Sequence, residues 1–261
     1  MESVRGCAQR CLGLTGQFSL LGDFFGFRRK RLPLDPTGAG VQISVRRQLR
    51  RLSEFAFNLN IIAVGRDQFT DGDYMQLDYA LFKLRNIYDQ VGLGVGRVEH
   101  RGVDTVDANG LDTPTTTNDL EQLTRDWTIP NHAIDMFVPH NFAVTAEGQP
   151  IAGRAPVLGP CDKDGDKMSG STCGLWGSEQ TARTFAHELG HYLGLEHRND
   201  EPDNLMCQSS KANNIRTSVV LTAAQGEYIS LHCFVTSIAF RLARSSSEEL
   251  TPSEIVEASS S

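Results

Sequence analysis

Residues 187–197 read His187-Glu188-Leu189-Gly190-His191-Tyr192-Leu193-Gly194-Leu195-Glu196-His197. An α-helix advances about 100° per residue, so His187 and His191, four positions apart, lie on one face and direct both imidazole rings at one point. Glu188 lies beside that point. The stretch therefore predicts a helix that carries two converging nitrogen donors and an adjacent carboxylate.

The third histidine of the stretch needs a change of chain direction. In a continuous helix, His197 would lie about 240° around the axis from His191. Gly194 allows the turn, because glycine accepts the left-handed backbone conformation with which helices commonly end. We therefore expect the helix to break at Gly194 and His197 to come back as a third ligand.

Three neutral imidazoles leave the fourth position of a tetrahedral zinc ion open, which is typical of catalytic sites, whereas structural zinc sites are usually closed and rich in cysteine. In a catalytic site zinc lowers the pKa of a water molecule, and Glu188 is expected to accept its proton as general base and then to protonate the leaving amine. The alternative interpretation is an ordinary amphipathic helix whose histidines face solvent or core. The presence of both Gly194 and His197 favours the zinc site.

The stretch resembles the extended HExxHxxGxxH signature of the metzincin zinc endopeptidases, which also carry a methionine turn downstream. Asp203-Asn204-Leu205-Met206 fits that turn, and the eight residues between His197 and Met206 are similar to the short connection of the matrixin and reprolysin branches. The resemblance implies that Met206 forms a hydrophobic floor beneath the zinc. It also implies a zinc-dependent endopeptidase that acts on protein or peptide substrates.

Two residues depart from the branches of the clan. Position 208 is Gln, where astacin-like and serralysin-like members carry a tyrosine that serves as an extra ligand. Arg198, directly after the third histidine, matches no branch pattern. The specific resemblance covers residues 187–206 and the looser one runs from about residue 55 to 235, so the clan is indicated and the branch stays open.

Periodicity elsewhere in the chain predicts alternating strands and helices. Strands are expected at 55–64, 95–103 and 133–138, and helices at 72–91 and 118–127, with a capping box at Thr222 and Gln225 opening a last helix. This order implies an α/β sandwich. The resemblance refines it to a twisted mixed sheet with an active-site helix, and a cleft between a larger N-terminal and a small C-terminal subdomain. It also places an edge strand for substrate at 151–159, where an ordinary loop is the competing interpretation.

Charge and composition suggest extensions at both ends of one catalytic domain, residues 51–244. Residues 1–51 contain ten Arg or Lys against three acidic residues and carry +7; since the whole chain carries −7, the remainder carries −14. Residues 1–50 are therefore predicted as a basic arm or prosegment, with a dibasic processing site at 28–31 as one interpretation and an exposed basic turn as the other. Residues 245–261, with seven Ser and four Glu, are predicted as a disordered tail.

The same features exclude some partners. The acidic catalytic domain argues against nucleic acid, and apolar runs fall short of the roughly 18 to 20 residues that a membrane span requires. The sequence carries no signal for an oligomeric state. A rival function from another class is a catalytically silent, zinc-containing protein-binding module.

Six cysteines, an even number, fit disulfides in an exported protein. We expect Cys161 to pair with Cys173 and Cys207 with Cys233, because each bond would join segments that flank the active-site helix. Free buried thiols, or a metal held by Cys161 and Cys173, are the alternatives. Cysteine usage and the resemblance favour a secreted or extracellular protein, although residues 1–27 show no clear signal peptide.

Asp162, Asp164 and Asp166 alternate as in the first half of an EF-hand loop and suggest a calcium ion. The pattern then departs from an EF-hand, because glycine falls at loop position 4 instead of 6 and Cys173 stands where the bidentate glutamate belongs. A looser calcium site and a polar turn are the two interpretations.

Overall fold

The computed structural model describes residues 55–163 and 167–237. The predicted arm at 1–50, its basic run at 28–31 and the predicted tail at 245–261 lie outside these residues. The described elements, in chain order, are β1 (Phe55–Val64), α1 (Asp71–Asp89), β2 (Leu93–Val103), α2 (Thr105–Ala108), α3 (Thr117–Trp127), β3 (Ile134–Pro139), β4 (Thr145–Ala146), β5 (Gln149–Pro150), β6 (Gly153–Arg154), β7 (Ser171–Cys173), α4 (Ser178–Tyr192), α5 (Ala223–Ser230) and β8 (Val235–Ser237). A short 3₁₀ turn, Arg66–Gln68, follows β1. The predicted mixed α/β class is confirmed.

One mixed sheet with the strand order β2-β1-β3-β7-β6 organises the fold. The pairs β1–β2, β1–β3 and β3–β7 are parallel, while β6 runs antiparallel to β7 at the edge. Strand β3 pairs with β1 only from Leu59 onward, and β8 pairs antiparallel with Phe55–Phe57. β8 therefore covers the part of β1 that β3 leaves open.

The central strand β1 is almost continuously apolar because helices cover both of its faces. On one face, Ile62 and Val64 share a buried cluster with Leu123 of α3. On the other, Phe57 meets Tyr88 of α1 edge-on, with ring centroids 5.7 Å apart. Successive side chains along β1 point to opposite faces, so the strand contributes to a core on each side of the sheet.

Helix α4 lies against α1, and every residue from Thr181 to Tyr192 is buried. The Tyr88 hydroxyl of α1 donates a hydrogen bond to the carbonyl of Ala186 at 3.0 Å. The larger N-terminal part of the fold therefore holds α4 firmly, and the smaller part beyond it contributes α5 and β8. Over residues 55–163 and 167–237, no helix combines the length and the apolar character needed to cross a membrane.

The predicted disulfide pairing was wrong. Cys161 is bonded to Cys233, with 6.0 Å between their Cα atoms, and Cys173 and Cys207 are buried free thiols. Cys161 pairs with Cys233 because their chain segments lie together in the fold. His232, beside Cys233, hydrogen-bonds to the carbonyl of Gly159, two residues before Cys161 and 73 residues away in sequence. Cys173 instead lies within the sheet, in β7. The disulfide also removes Cys161 as a metal ligand.

Candidate metal centre

The end of α4 brings the third histidine to the first two. Gly194 has a positive φ of 107°. Its N–H donates to the carbonyl of His191, and the N–H of Leu195 donates to the carbonyl of Gly190, both at 2.8 Å. This pair of hydrogen bonds is the Schellman pattern that closes a helix and reverses the chain. The reversal directs residues 195–197 back towards the open side of His191.

The three Nε2 atoms form a nearly equilateral triangle. The distances are 3.1 Å between His187 and His191, 3.2 Å between His191 and His197, and 3.3 Å between His187 and His197. Tetrahedral zinc with Zn–N bonds of about 2.0–2.1 Å needs nitrogens about 3.3–3.4 Å apart. The triangle therefore matches three corners of a zinc coordination shell to within a few tenths of an ångström.

Backbone carbonyls determine which nitrogen of each buried ring carries the proton. His187 Nδ1 lies 2.8 Å from the carbonyl oxygen of Leu205, and His191 Nδ1 lies 2.7 Å from that of Leu195. Because a carbonyl oxygen only accepts, both Nδ1 atoms are donors, and the facing Nε2 atoms present lone pairs to each other. Lone pairs at this distance repel unless a cation lies between them. The donor set therefore fits a metal ion, and it is the one group of three such ligands among residues 55–163 and 167–237.

The site also keeps its histidines neutral. Burial lowers the pKa of His191 to about 4 and, helped by the nearby His191 ring, lowers the pKa of His187 well below its usual value. Burial lowers the pKa of His197 as well, with a further contribution from Lys211. Protons therefore compete weakly with a metal ion for these nitrogens at neutral pH.

Glu188 is buried on α4, against the edge strand β6. Its exposed fraction is 6%, and burial raises its pKa to about 8, with the positive charge of Arg154 acting in the opposite direction. A Cβ atom on Gly153 of β6 would lie only 2.7 Å from Glu188 Cγ. The absence of a side chain at Gly153 therefore lets the backbone of β6 pass directly over the carboxyl group.

Met206 is fully buried beneath α4. Its N–H donates to the side-chain oxygen of Asn204 at 2.9 Å, and its carbonyl accepts from the N–H of Arg198 at 3.0 Å. The backbone of Arg198 thus joins the segment that carries His197 to the turn that carries Met206. The guanidinium group of Arg198 lies at the protein surface, where it forms an ion pair with Glu201.

Gln208 closes the loop after His197. Its N–H donates to Asn199 Oδ1 at 3.0 Å, and Asn199 Nδ2 donates to Gln208 Oε1 at 2.9 Å. The Asn199 amide thus hydrogen-bonds to both the backbone and the side chain of Gln208. Gln208 is therefore a structural residue of the loop.

A cleft of about 440 Å³ opens beside the triangle, lined by Ala155, Val157, His191, Glu196 and His197. The strand predicted at 151–159 is reduced to the two residues of β6, and the remainder is an irregular wall. Its Leu158 and Gly159 N–H groups donate to the last carbonyls of α4, at 2.9 and 2.7 Å. One wall of the cleft is thus fixed to the helix that carries His187 and His191.

The calcium prediction is only partly within the described residues. Asp162 is exposed, and Asp164 and Asp166 lie outside them. Calcium at this segment therefore stays a prediction.

Arg183 and Gly153 were missed by the sequence reasoning. Arg183 lies one helical turn before His187 and is 2% exposed. An arginine among small and apolar residues in the middle of a buried helix is a signal that could have been noticed. Gly153 had no comparable signal, because its role depends on the approach of a strand to a distant helix.

Comparisons with known proteins give distant structural similarity only. The sequence matches no family model, and no curated protein matches it. One similar solved structure is a chaperone–substrate complex, with 12% sequence identity and a TM-score of 0.46 over 69% of this chain and 34% of that chain. A second is metalloproteinase-II from Bacteroides fragilis, with 14% identity and a TM-score of 0.44 over 67% of this chain and 52% of that chain. A third is archaemetzincin from Methanopyrus kandleri, with 14% identity and a TM-score of 0.45 over 67% of this chain and 94% of that chain. This chain thus spans about a third of the first structure and half of the second. Similarity at this level assigns no activity to this chain.

Proposed function

We propose that this chain is a zinc-dependent endopeptidase. In this proposal His187, His191 and His197 bind the zinc ion, Glu188 is the general base and Met206 forms the floor of the site. The observation that carries the proposal is the triangle of Nε2 atoms with edges of 3.1–3.3 Å. Glu188, which follows the ligand His187 on the same helix, carries a buried carboxyl group. Three histidine ligands leave a coordination position for water or substrate, as catalytic zinc sites require.

Zinc bound there would acidify a water molecule and polarise the substrate carbonyl. Glu188 accepts the water proton and delivers it to the nitrogen of the leaving amine. Burial raises the pKa of Glu188, so its carboxylate is a stronger base than an exposed one. The hydrogen bonds from His187 and His191 to backbone carbonyls keep both rings in the tautomer that presents Nε2.

A substrate in extended conformation would bind along β6. This strand pairs with β7 on one side through Gly153 and Arg154 and is the last strand in the order of the described sheet. Ala155 and Val157, which follow β6, line the cleft. Strand addition at this edge supplies main-chain hydrogen bonds without regard to side chains. The substrate class is therefore proteins or peptides. We further propose that the protein is secreted, which the Cys161–Cys233 disulfide supports.

The test is cleavage of a peptide library by purified protein, with and without a zinc chelator, followed by return of zinc. We expect cleavage that the chelator abolishes and zinc restores. Glu188→Gln should keep stoichiometric zinc and lose about 10²–10⁴-fold in kcat. Zinc binding without any cleavage would contradict the peptidase and favour the silent zinc-containing binding module. Undiminished cleavage by Glu188→Gln would remove that residue from its proposed role.

A further inference from the structure

Arg183 is a cation buried inside the fold, next to the candidate metal centre. It is 2% exposed and is among the largest fully buried side chains. Its hydrogen bonds run to four backbone carbonyls and one hydroxyl: Nε to Ser218 at 2.9 Å, Nη1 to Ser209 Oγ at 3.2 Å, and Nη2 to Asn204, Leu205 and Cys207 at 3.5, 3.1 and 2.5 Å. Nη2 has two N–H groups for three carbonyls, so two of these carbonyls share one hydrogen. A planar guanidinium has five N–H groups for the whole set, whereas an ammonium offers three.

The carbonyl of Leu205 links Arg183 to a zinc ligand. It accepts from Arg183 Nη2 at 3.1 Å and from His187 Nδ1 at 2.8 Å. Arg183 and His187 lie four positions apart on α4, so both side chains leave the same face of the helix and meet the same segment. That segment contains Met206.

Carbonyl oxygens that converge on one point repel each other, and a positive group at that point is what holds them together. Without it, the turn of residues 204–207 would rotate its peptide planes apart. The oxygen of Leu205 would then leave the position in which it receives the His187 proton. Ligand histidines depend on such outer partners for their tautomer and orientation.

We propose that Arg183 is a positioning residue of the metal centre, which orders the carbonyls of residues 204–207 so that Leu205 holds His187 in its metal-binding tautomer. This inference rests on the proposed zinc site and adds a residue to it. Arg183 contacts neither zinc nor substrate. Its effect on zinc affinity passes through Leu205 and His187.

Arg183→Lys tests the proposal because lysine keeps the charge and loses the planar set of donors. Arg216→Lys is the matched control, since Arg216 is exposed and bonds Glu179 in the first turn of the same helix. Zinc affinity is measured by competition with a chromogenic chelator, and the His187 tautomer by ¹⁵N NMR of the zinc-free protein. We expect Arg183→Lys to bind zinc about 10- to 100-fold more weakly and to lose the single Nδ1–H tautomer, with Arg216→Lys unchanged.

A folded Arg183→Lys protein with unchanged zinc affinity and unchanged His187 tautomer would overturn the proposal. If Arg183→Lys does not fold, Arg183→Gln, which removes the buried charge, is measured in its place. Failure of both variants to fold at saturating zinc would assign Arg183 to the stability of the core and also overturn it. The proposed peptidase activity fails separately when the unaltered protein binds zinc and cleaves no peptide. An unaltered protein that binds no zinc would overturn both proposals.

Discussion

The Sδ atom of Met206 lies 2.6 Å from the point that a Cβ atom on Gly190 would occupy. Gly190 lies on α4 between His187 and His191, and Met206 is fully buried beneath it. Glycine at this position lets the methionine side chain touch the backbone of the helix. The packing of Met206 against α4 thus depends on the absence of a side chain at Gly190, which lies between two of the proposed ligands.

We expect Gly190→Ala to destabilise the protein even though alanine is the better helix former. The gain in helix propensity is about 1 kcal/mol, whereas inserting a methyl group into a packed core costs about 1–3 kcal/mol. A net loss of about 1 kcal/mol should appear in urea unfolding. Met206→Ala makes room for the new methyl group, so the double variant should lose less than the two single variants together. Strict additivity would show that the two residues do not interact.

Gly153→Ala should impair catalysis while leaving zinc in place. The added Cβ would meet Glu188 Cγ and the carbonyl of Thr172, each at 2.7 Å, so Glu188, the proposed general base, must shift. Displacement of a catalytic group by about 1 Å costs on the order of 100-fold in rate. The measurement is kcat on a library-derived peptide together with zinc content. Gly72→Ala is the control, since its Cβ would meet only Thr70 Oγ1, at 3.6 Å. Equal rates for Gly153→Ala and the control would refute this placement of Glu188.

Loss of the Cys161–Cys233 disulfide should lower stability strongly. The bond spans 72 residues, and closing a loop of that length in the unfolded chain is worth about 4 kcal/mol. The double Ser variant should therefore unfold about 10 °C lower. Peptide mapping under non-reducing conditions checks the pairing directly. A cross-linked peptide joining Cys161 to Cys173 would contradict the structure, as would equal Tm values with and without reductant.

The zinc-free protein should lose stability in mild acid. The pKa of His191 is about 4 in the folded protein and about 6.5 in an unfolded chain. Between these values the unfolded chain binds a proton that the folded protein does not, so the free energy of unfolding falls as pH falls. For His191 the full loss is on the order of 3 kcal/mol. His187 acts in the same direction, because burial also lowers its pKa.

Urea unfolding of the zinc-free protein from about pH 8 to about pH 4 measures this loss. His191→Asn removes one titrating ring and should reduce the slope by up to about 1.4 kcal/mol per pH unit. Identical slopes for the variant and the unaltered protein would show that His191 titrates normally when folded.

Much of the fold could be predicted from the sequence because each helix or strand has its own periodic pattern of apolar residues. The apolar run at 55–64 coincides with β1, and the stripe predicted for 72–91 lies within a residue or two of α1. The capping box at Thr222 and Gln225 opens α5. The cleft wall was less predictable, since β6 pairs over only two residues and hydrogen bonds to the end of α4 hold the rest. Its shape follows from the helix beside it and not from its own periodicity.

The sequence by itself determined which side chains lie on the same face of α4 and where that helix ends. The four-residue spacing of His187 and His191, and the glycine at 194, act through backbone geometry that repeats every turn and needs no distant partner. The tertiary structure alone decided the partner of Cys161 and the carbonyls that Arg183 binds. These contacts join segments 21 to 72 residues apart. Such contacts depend on the path of the chain through space, which residue spacing does not encode, because folding selects that path through the packing of the whole core.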